Sequence, residues 1–183
     1  MQKGASRAKS SVQSVLSAPD KVLDKTRGCG WFALTVGGVR FWMKKLFVAQ
    51  DYSLLVTDLS HVWTDWRDAV QISHLHEEFN PQLAFSSSDA TTKLLNTKLD
   101  TGFQHLFTMV PDGDAGVLLE LKFAFSSIVT FRWTFRLRTL ESQRAAEFIR
   151  LSLIEPVITA SYELSRQLRK QTVEKCVVLK EYF

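Results

Sequence analysis

At 183 residues the chain is long enough to bury one core of ordinary size and too short for two. An apolar fraction of 45%, with thirteen Phe and five Trp, excludes a disordered chain. A formal charge of +4 suits an anionic partner but falls far short of the charge density of a dedicated nucleic-acid binder. No apolar run approaches the roughly 20 residues that span a bilayer, so no membrane partner is expected. Cys29 and Cys176 lie too far apart in sequence to suggest a zinc pattern or a disulfide framework, which fits a reducing compartment.

The first residues carry Lys3, Arg7 and Lys9, several Ser and no acid before Asp20. That composition superficially resembles a transit peptide, but residues 1–28 are read here as a disordered basic extension. From Cys29 onward the pattern turns to short apolar runs rich in β-branched and aromatic residues. Strands are expected at Trp31 to Val36, Val39 to Val48 and Tyr52 to Thr57, with Gly37-Gly38 as a tight hairpin and Gln50-Asp51 as a polar turn. Asp58 and Ser60 offer N-caps before His61, Val62, Trp63, Trp66 and Val70, whose spacing predicts a helix. A second helix is expected over Ile72 to Phe79, ended by Pro81, and a third, opened by a loose capping box over Ser86 to Asp89, to about Phe107 with Leu94, Leu95, Leu99, Phe103 and Leu106 on one face.

Strands resume at His105 to Val110, Val117 to Phe125 and Ile128 to Arg138. In the last, Phe131, Trp133, Phe135 and Leu137 alternate with Arg132, Thr134, Arg136 and Arg138, which places aromatics inward and a basic row outward. Beyond Thr139 the chain reads as helix, from about Glu141 to Glu155 and then, as a second helix or a kinked continuation, from Pro156. Ile154, Val157, Ser161, Leu164 and Leu168 follow spacings of three and four, a coiled-coil seam that falters at Gln171 and recovers at Val173, Cys176 and Val177. Taken alone, fewer than four clean heptads favour an ordinary amphipathic helix. Yet a helix from Pro156 to Phe183 would run about 40 Å, more than a small head needs, and an apolar stripe in water is most simply covered by a second copy.

No catalytic constellation can be assembled. His74, His76, Glu77 and Glu78 form the one cluster of metal-like composition, but residues two apart on a helix diverge, so a solvated polar face is expected. His61 and His105 have no triad partner near them in sequence, Gly37-Gly38 lacks the frame of a phosphate loop, and Asp58 reads as a cap. Neither metal nor cofactor is expected, and a hydrolase lacks its residues.

The segment FWMKKLFVAQDYSLLVTDLSHVW (Phe41 to Trp63), with EFNPQL (Glu78 to Leu83), FRWTF (Phe131 to Phe135) and LIEP (Leu153 to Pro156), resembles in order the head and start of the stalk of the XLF (Cernunnos) family. That family includes the scaffold subunit of DNA ligase IV. The resemblance, over about Trp31 to Leu168, implies an α+β fold. An antiparallel head of roughly seven strands with an inserted helical segment would occupy 29–139, and a helical stalk, partly coiled coil, 140–183.

It further implies a nuclear, non-catalytic homodimer in non-homologous end joining, docking through its head on the ligase IV scaffold, and through that on ligase IV, to bridge double-stranded DNA ends. Positions matching the head contact are Phe79, Gln82, Leu83, Val129 and Phe131. Gln82 stands where the family has a basic residue, and Val129 where a larger Leu inserts into the partner. Phe131 shares strand parity with Trp133, so a core role stands beside the docking role. Relatives carry a longer stalk and a basic tail reaching the Ku end-binding protein, so a truncated stalk is expected and Ku is a partner whose tether is missing. Arg132, Arg136, Arg138, Arg166, Arg169 and Lys170 are candidates for contact with DNA phosphates, against the plainer reading of solvated surface charge. The alternative is a centriolar cartwheel-type assembly protein with the same head-and-stalk plan.

Overall fold

A computed structural model of the chain describes residues 17–83, 87–100, 104–113 and 116–181, with side chains of the last helix described as far as residue 170. Strands β1 (Phe32–Val36), β2 (Val39–Val48), β3 (Asp51–Thr57) and β4 (Val62–Asp68) form an antiparallel meander. A second meander, β5 (Phe107–Pro111), β6 (Gly116–Ala124) and β7 (Thr130–Thr139), joins it through β4 and β7, in the order β1-β2-β3-β4-β7-β6-β5. Helices α2 (Ala69–Phe79) and α3 (Ser88–Lys98) lie between β4 and β5 in the chain, and a 3-10 turn (Gln104–Leu106) leads into β5. The expected α+β head of seven antiparallel strands with a helical insertion is what forms.

The hairpin between β1 and β2 turns on Gly37 and Gly38 at φ of 57° and 82°. Two successive left-handed residues match the right-handed twist of the flanking strands, which glycine alone allows without strain. In β7 the alternation holds as expected: Phe131, Trp133, Phe135 and Leu137 are buried while Arg132, Arg136 and Arg138 are exposed. The sheet curls until its edge strands β1 and β5 approach one another. Its inner face packs Leu34, Met43, Tyr52, Leu54, Leu119 and Trp133 against Ile72 of α2, Leu95 of α3 and Leu99 just past its end. On the outer face Leu55, Val62 and Trp66 are covered by Val22, from helix α1 (Ala18–Lys25), and by Ala145, Phe148 and Ile149 of α4 (Ser142–Ile149).

Five expectations are corrected. The segment 61–70, expected as a helix, is strand β4 followed by the start of α2. Val62 and Trp66 face the outer cluster while Trp63 faces the inner one. Burial on both faces masks the period of two and imitates helical spacing. The cap signal at Asp58 serves a turn instead: its carboxylate accepts the amides of Ser60 (2.8 Å) and His61 (2.6 Å) at the β3–β4 hairpin. The helix itself starts from a capping box between Asp68 and Gln71.

The third helix ends at Lys98 rather than near Phe107; Phe103 lies outside the described residues. The basic extension is not disordered throughout. Residues 18–25 are helical, capped by Ser17 and anchored by the buried Val22. Asp20 pairs with Arg144, and the Lys21 ammonium lies 4.7 Å from the centre of the Trp66 ring. Lys3, Arg7 and Lys9 lie outside the described residues. Last, the polar face expected at 74–78 is solvated only in part: His76 is buried, and its Nε2 lies 2.9 Å from the Leu83 carbonyl oxygen, within hydrogen-bond range.

Strands β4 and β7 pair at only two positions, Trp63 with Thr139 and Thr64 with Arg138, before they part. The chain fills the resulting gap with side chains. Asn80, fully buried, accepts from the Arg132 amide at 2.8 Å and donates to the Arg132 carbonyl at 2.7 Å, standing in for a neighbouring strand. The buried Asp65 accepts the Tyr52 hydroxyl at 2.8 Å and pairs with Arg67 at 3.1 Å. Burial pushes the Asp65 carboxyl up to about 6, against the pull of Arg67 and the Tyr52 hydroxyl.

Two outcomes follow. Asn80→Ala strips two buried backbone groups of their partner and is expected to destabilise the head by about 2–4 kcal/mol, read as a lowered midpoint in urea denaturation. Because Asp65 binds its proton more tightly folded than unfolded, its contribution is complete below pH 3.8 and lost as pH rises through about 6. The loss is up to about 3 kcal/mol. Asp65→Asn should flatten the pH dependence of urea stability across that window; a profile unchanged by the substitution would place the titrating group elsewhere.

Candidate functional site: the stalk stripe and the head rim

The stalk leaves the head where β7 ends. The Leu140 amide donates to the Val62 carbonyl (2.7 Å), α4 packs on the outer face, and a π-helical segment (Arg150–Ile154) leads into α5 (Glu155–Glu181). Pro156 has no amide proton for the carbonyl four residues earlier, that of Ser152. The Trp31 indole supplies the missing donor, its Nε1 lying 3.0 Å from the Ser152 oxygen, and the same ring meets Phe148 edge-on at 6.1 Å. The helix therefore widens at 150–154 and continues through Pro156, the second of the two outcomes considered for this proline.

From this joint α5 extends about 40 Å. The expected seam residues Ile154, Val157, Ser161, Leu164 and Leu168 are all exposed, and the exposed Leu151, Ile158 and Tyr162 widen the stripe. Val157, Ile158, Tyr162 and Leu164 each leave 58–68% of their surface in solvent. Val173, Cys176 and Val177 lie outside the described side chains.

The positions matched to head docking gather at the other end of β6 and β7. Phe79, at the end of α2, meets Trp133 edge-on at 5.9 Å; Gln82 donates to the Thr130 carbonyl at 3.2 Å; Leu83 packs against the core from its edge. Val129 is half-buried in the β6–β7 turn, where its carbonyl accepts the amides of Phe125 and Ser126. Phe131 is not at this surface. It is fully buried, packed on Phe123 at 5.1 Å, and its docking role gives way to the core role that its parity with Trp133 allowed.

Sequence reasoning missed Ile128, which is 91% exposed at the tip of the same turn, beside the half-exposed Phe125. Extending the alternation of β7 backward from Arg132 through Thr130 would have placed Ile128 outward. Nine residue steps separate Thr130 at this rim from Thr139 at the stalk joint, about 30 Å along an extended strand.

The candidate phosphate contacts divide between these regions. Arg132, Arg136 and Arg138 lie exposed along the outer face of β7, whereas Arg166, Arg169 and Lys170 lie exposed on α5, with Glu163 3.8 Å from Arg166. Among the described residues no group of three or more His, Cys, Asp or Glu side chains is placed to hold a metal ion.

No curated protein matches the chain. Among solved structures, the head domain of human CCDC61 is similar at 16% identity and a TM-score of 0.49, over 61% of this chain and 99% of that one. An N-terminal fragment of Drosophila melanogaster Sas-6, dimerised via its coiled-coil domain, is similar at 12% identity and a TM-score of 0.55, over 93% of this chain and 87% of that one. At such identity the second likeness is one of fold, a β head followed by a long helix. The XLF N-terminal domain family matches residues 30–139, more than half of the chain, and to that family the chain belongs.

Proposed function

We propose that the chain is a non-catalytic scaffold of DNA double-strand-break repair by non-homologous end joining, acting in the nucleus. It forms a homodimer through α5, docks through its head on the scaffold subunit of DNA ligase IV, and helps hold DNA ends together for ligation. The observation that carries this reading is the exposed apolar stripe of α5, borne on a chain whose head belongs to the XLF family. Water penalises such a stripe by about 25 cal/mol per Å² of apolar surface, and pairing with a second copy removes the penalty.

The rim supplies the second contact. Ile128, with Val129 and Leu83 beside it, offers apolar surface at the end of the sheet farthest from the stalk joint. Because about 30 Å of strand separates the two, a partner head at the rim leaves the stalk free, and both associations can coexist. The likeness to a Sas-6 fragment dimerised via its coiled coil also favours dimerisation through α5. It equally suits a second reading, a cartwheel-type assembly protein whose heads pair with one another without DNA. Rings of purified protein seen by electron microscopy would select that reading over repair.

Light scattering on the purified chain should give twice the 20.9 kDa chain mass. Leu164→Asp with Leu168→Asp should return it to one chain mass with the head still folded; a wild-type monomer would remove the foundation of the scaffold reading. At the rim, Ile128→Asp and Val129→Asp should each weaken binding to the ligase IV scaffold by about 10–100-fold, the worth of one buried aliphatic side chain, and leave the dimer intact. Unchanged affinity in both would take the rim out of the interface.

A further inference from the structure

The side chains that fill the gap between β4 and β7 leave one place open. Along a strand alternate residues turn their backbone amide and carbonyl to the same side, and for Thr130, Arg132, Thr134, Arg136 and Arg138 that side is the gap. Four of the five are met there. The Thr130 carbonyl accepts from Gln82, and Arg132 pairs with Asn80 through both of its groups. The Arg136 amide is turned to the Asp65 carboxylate, and Arg138 pairs with Thr64. Thr134 is the fifth, and no described residue supplies a partner to its amide or its carbonyl on this edge.

The half-buried Thr134 opens into a groove of about 450 Å³, which it shares with Phe79 and four charged side chains, Glu78, Glu120, Lys122 and Arg132. No described opposite charge lies within 4.0 Å of any of the four. Two carboxylates against two cations leave the groove without net charge, which disfavours a polyanion and suits a ligand carrying both signs. Thr134 itself provides the room, since it is a short side chain between the long Arg132 and Arg136.

We propose that this opening takes one residue of an extended peptide from a partner protein, added as a single rung of sheet on Thr134, with a basic side chain on that residue and a carboxylate just after it. An amide and a carbonyl on one strand edge are complementary to a peptide backbone. The neighbouring rung shows the fit, for the Asn80 carboxamide fills it with bonds of 2.7 and 2.8 Å. Asn80 and Asp65 close the gap on either side, so the insert is one rung long and the flanking peptide rises onto the outer face.

Every strand pair in this sheet is antiparallel. An insert of the same sense carries its following residue toward Arg132, which has Lys122 opposite it on β6, and a carboxylate there meets two cations. The side chain of the inserted residue lies over Thr134 toward Glu120, the residue opposite Thr134 on β6, which favours Lys or Arg at that position.

One rung with two charge contacts binds weakly, so the test follows amide resonances of the isotopically labelled full chain by NMR. Titration with acetyl-Ala-Lys-Ala ending in a free carboxylate should shift the Thr134 amide saturably. Amidating the peptide's end should weaken binding by about tenfold, the worth of a hydrogen bond to a charged group. Acetyl-Ala-Lys-Asp-amide carries the carboxylate on a side chain instead; whichever of the two acids binds tighter tells a peptide carboxy terminus from an internal acidic residue, and failure of both overturns the proposal. Thr134→Arg fills the opening and should abolish binding with the urea midpoint unchanged. Arg132→Gln, at an exposed side chain, should weaken the free-acid peptide by about tenfold and leave the amidated one as it was. Shifts that persist in both variants would overturn the proposal, as would a Thr134 resonance that moves with duplex DNA and not with peptide.

Discussion

Two residue pairs, Trp63 with Thr139 and Thr64 with Arg138, join the two meanders of this head, and most of the molecule's organisation follows from how short that ladder is. A sheet whose central strands part leaves backbone donors and acceptors exposed in its interior, where each must find a partner. The chain answers with Asn80, whose side-chain amide pairs with both backbone groups of Arg132, and so fixes where α2 ends against β7. The same gap takes in the buried Asp65 with its Tyr52 and Arg67 partners. At the paired end the Leu140 amide adds one more bond, to Val62, and the chain passes from strand to stalk. One short joint thus sets both the place of the helical insertion and the point from which the stalk departs.

Rigidity at the stalk joint comes from a second compensation of the same kind. Pro156 deprives the Ser152 carbonyl of its helical donor, and Trp31, just ahead of the first strand, restores it from the side. Since Trp31 also packs on Phe148, the indole clasps the stalk to the head by a hydrogen bond and a ring contact together. A proline that would otherwise loosen the helix becomes the reason that the head holds it. The direction of α5 is then a property of the folded head, and the rim at the far end of β6 and β7 is presented at a defined distance from any partner that the stripe recruits.

The sequence showed these elements unevenly. Where one strand face is apolar and the other charged, as in β7, alternation alone identified the strand and its inward aromatics. The Gly37-Gly38 turn was equally legible because a pair of left-handed residues admits few alternatives. Strand β4 was not, since Val62 and Trp63 are buried and Trp66 half-buried, on two different faces, and their apolar spacing carries no parity. The Asp58 cap was read for the right chemistry, a carboxylate accepting backbone amides, in the wrong element. Helix α1 escaped notice because its anchor is a single buried valine amid polar residues, and only the Trp66 and Arg144 side chains it meets make it worth forming. At the candidate docking surface, Phe131 was drawn outward by likeness of position and is held inward by packing, while Ile128 was overlooked although its parity pointed outward.

The burial of Phe131 has a consequence for how docking would work. With that ring committed to the core, the rim is left with Ile128, Val129, Phe125 and Leu83, of which only Ile128 and Phe125 are exposed. On the proposed reading, affinity must come from pairing. A dimer carries two rims, and once one has engaged, the second meets its partner at an effective concentration set by the rigid stalk joint rather than by bulk solution. Weak rims on a clasped dimer favour assemblies that grow where partners are already aligned and dissolve where they are not, which is the behaviour that end bridging requires. On that reading the exposed stripe of α5 and the modest rim act together: enlarging the rim would bind isolated partners, and shortening the stripe would remove the second contact that makes the first sufficient.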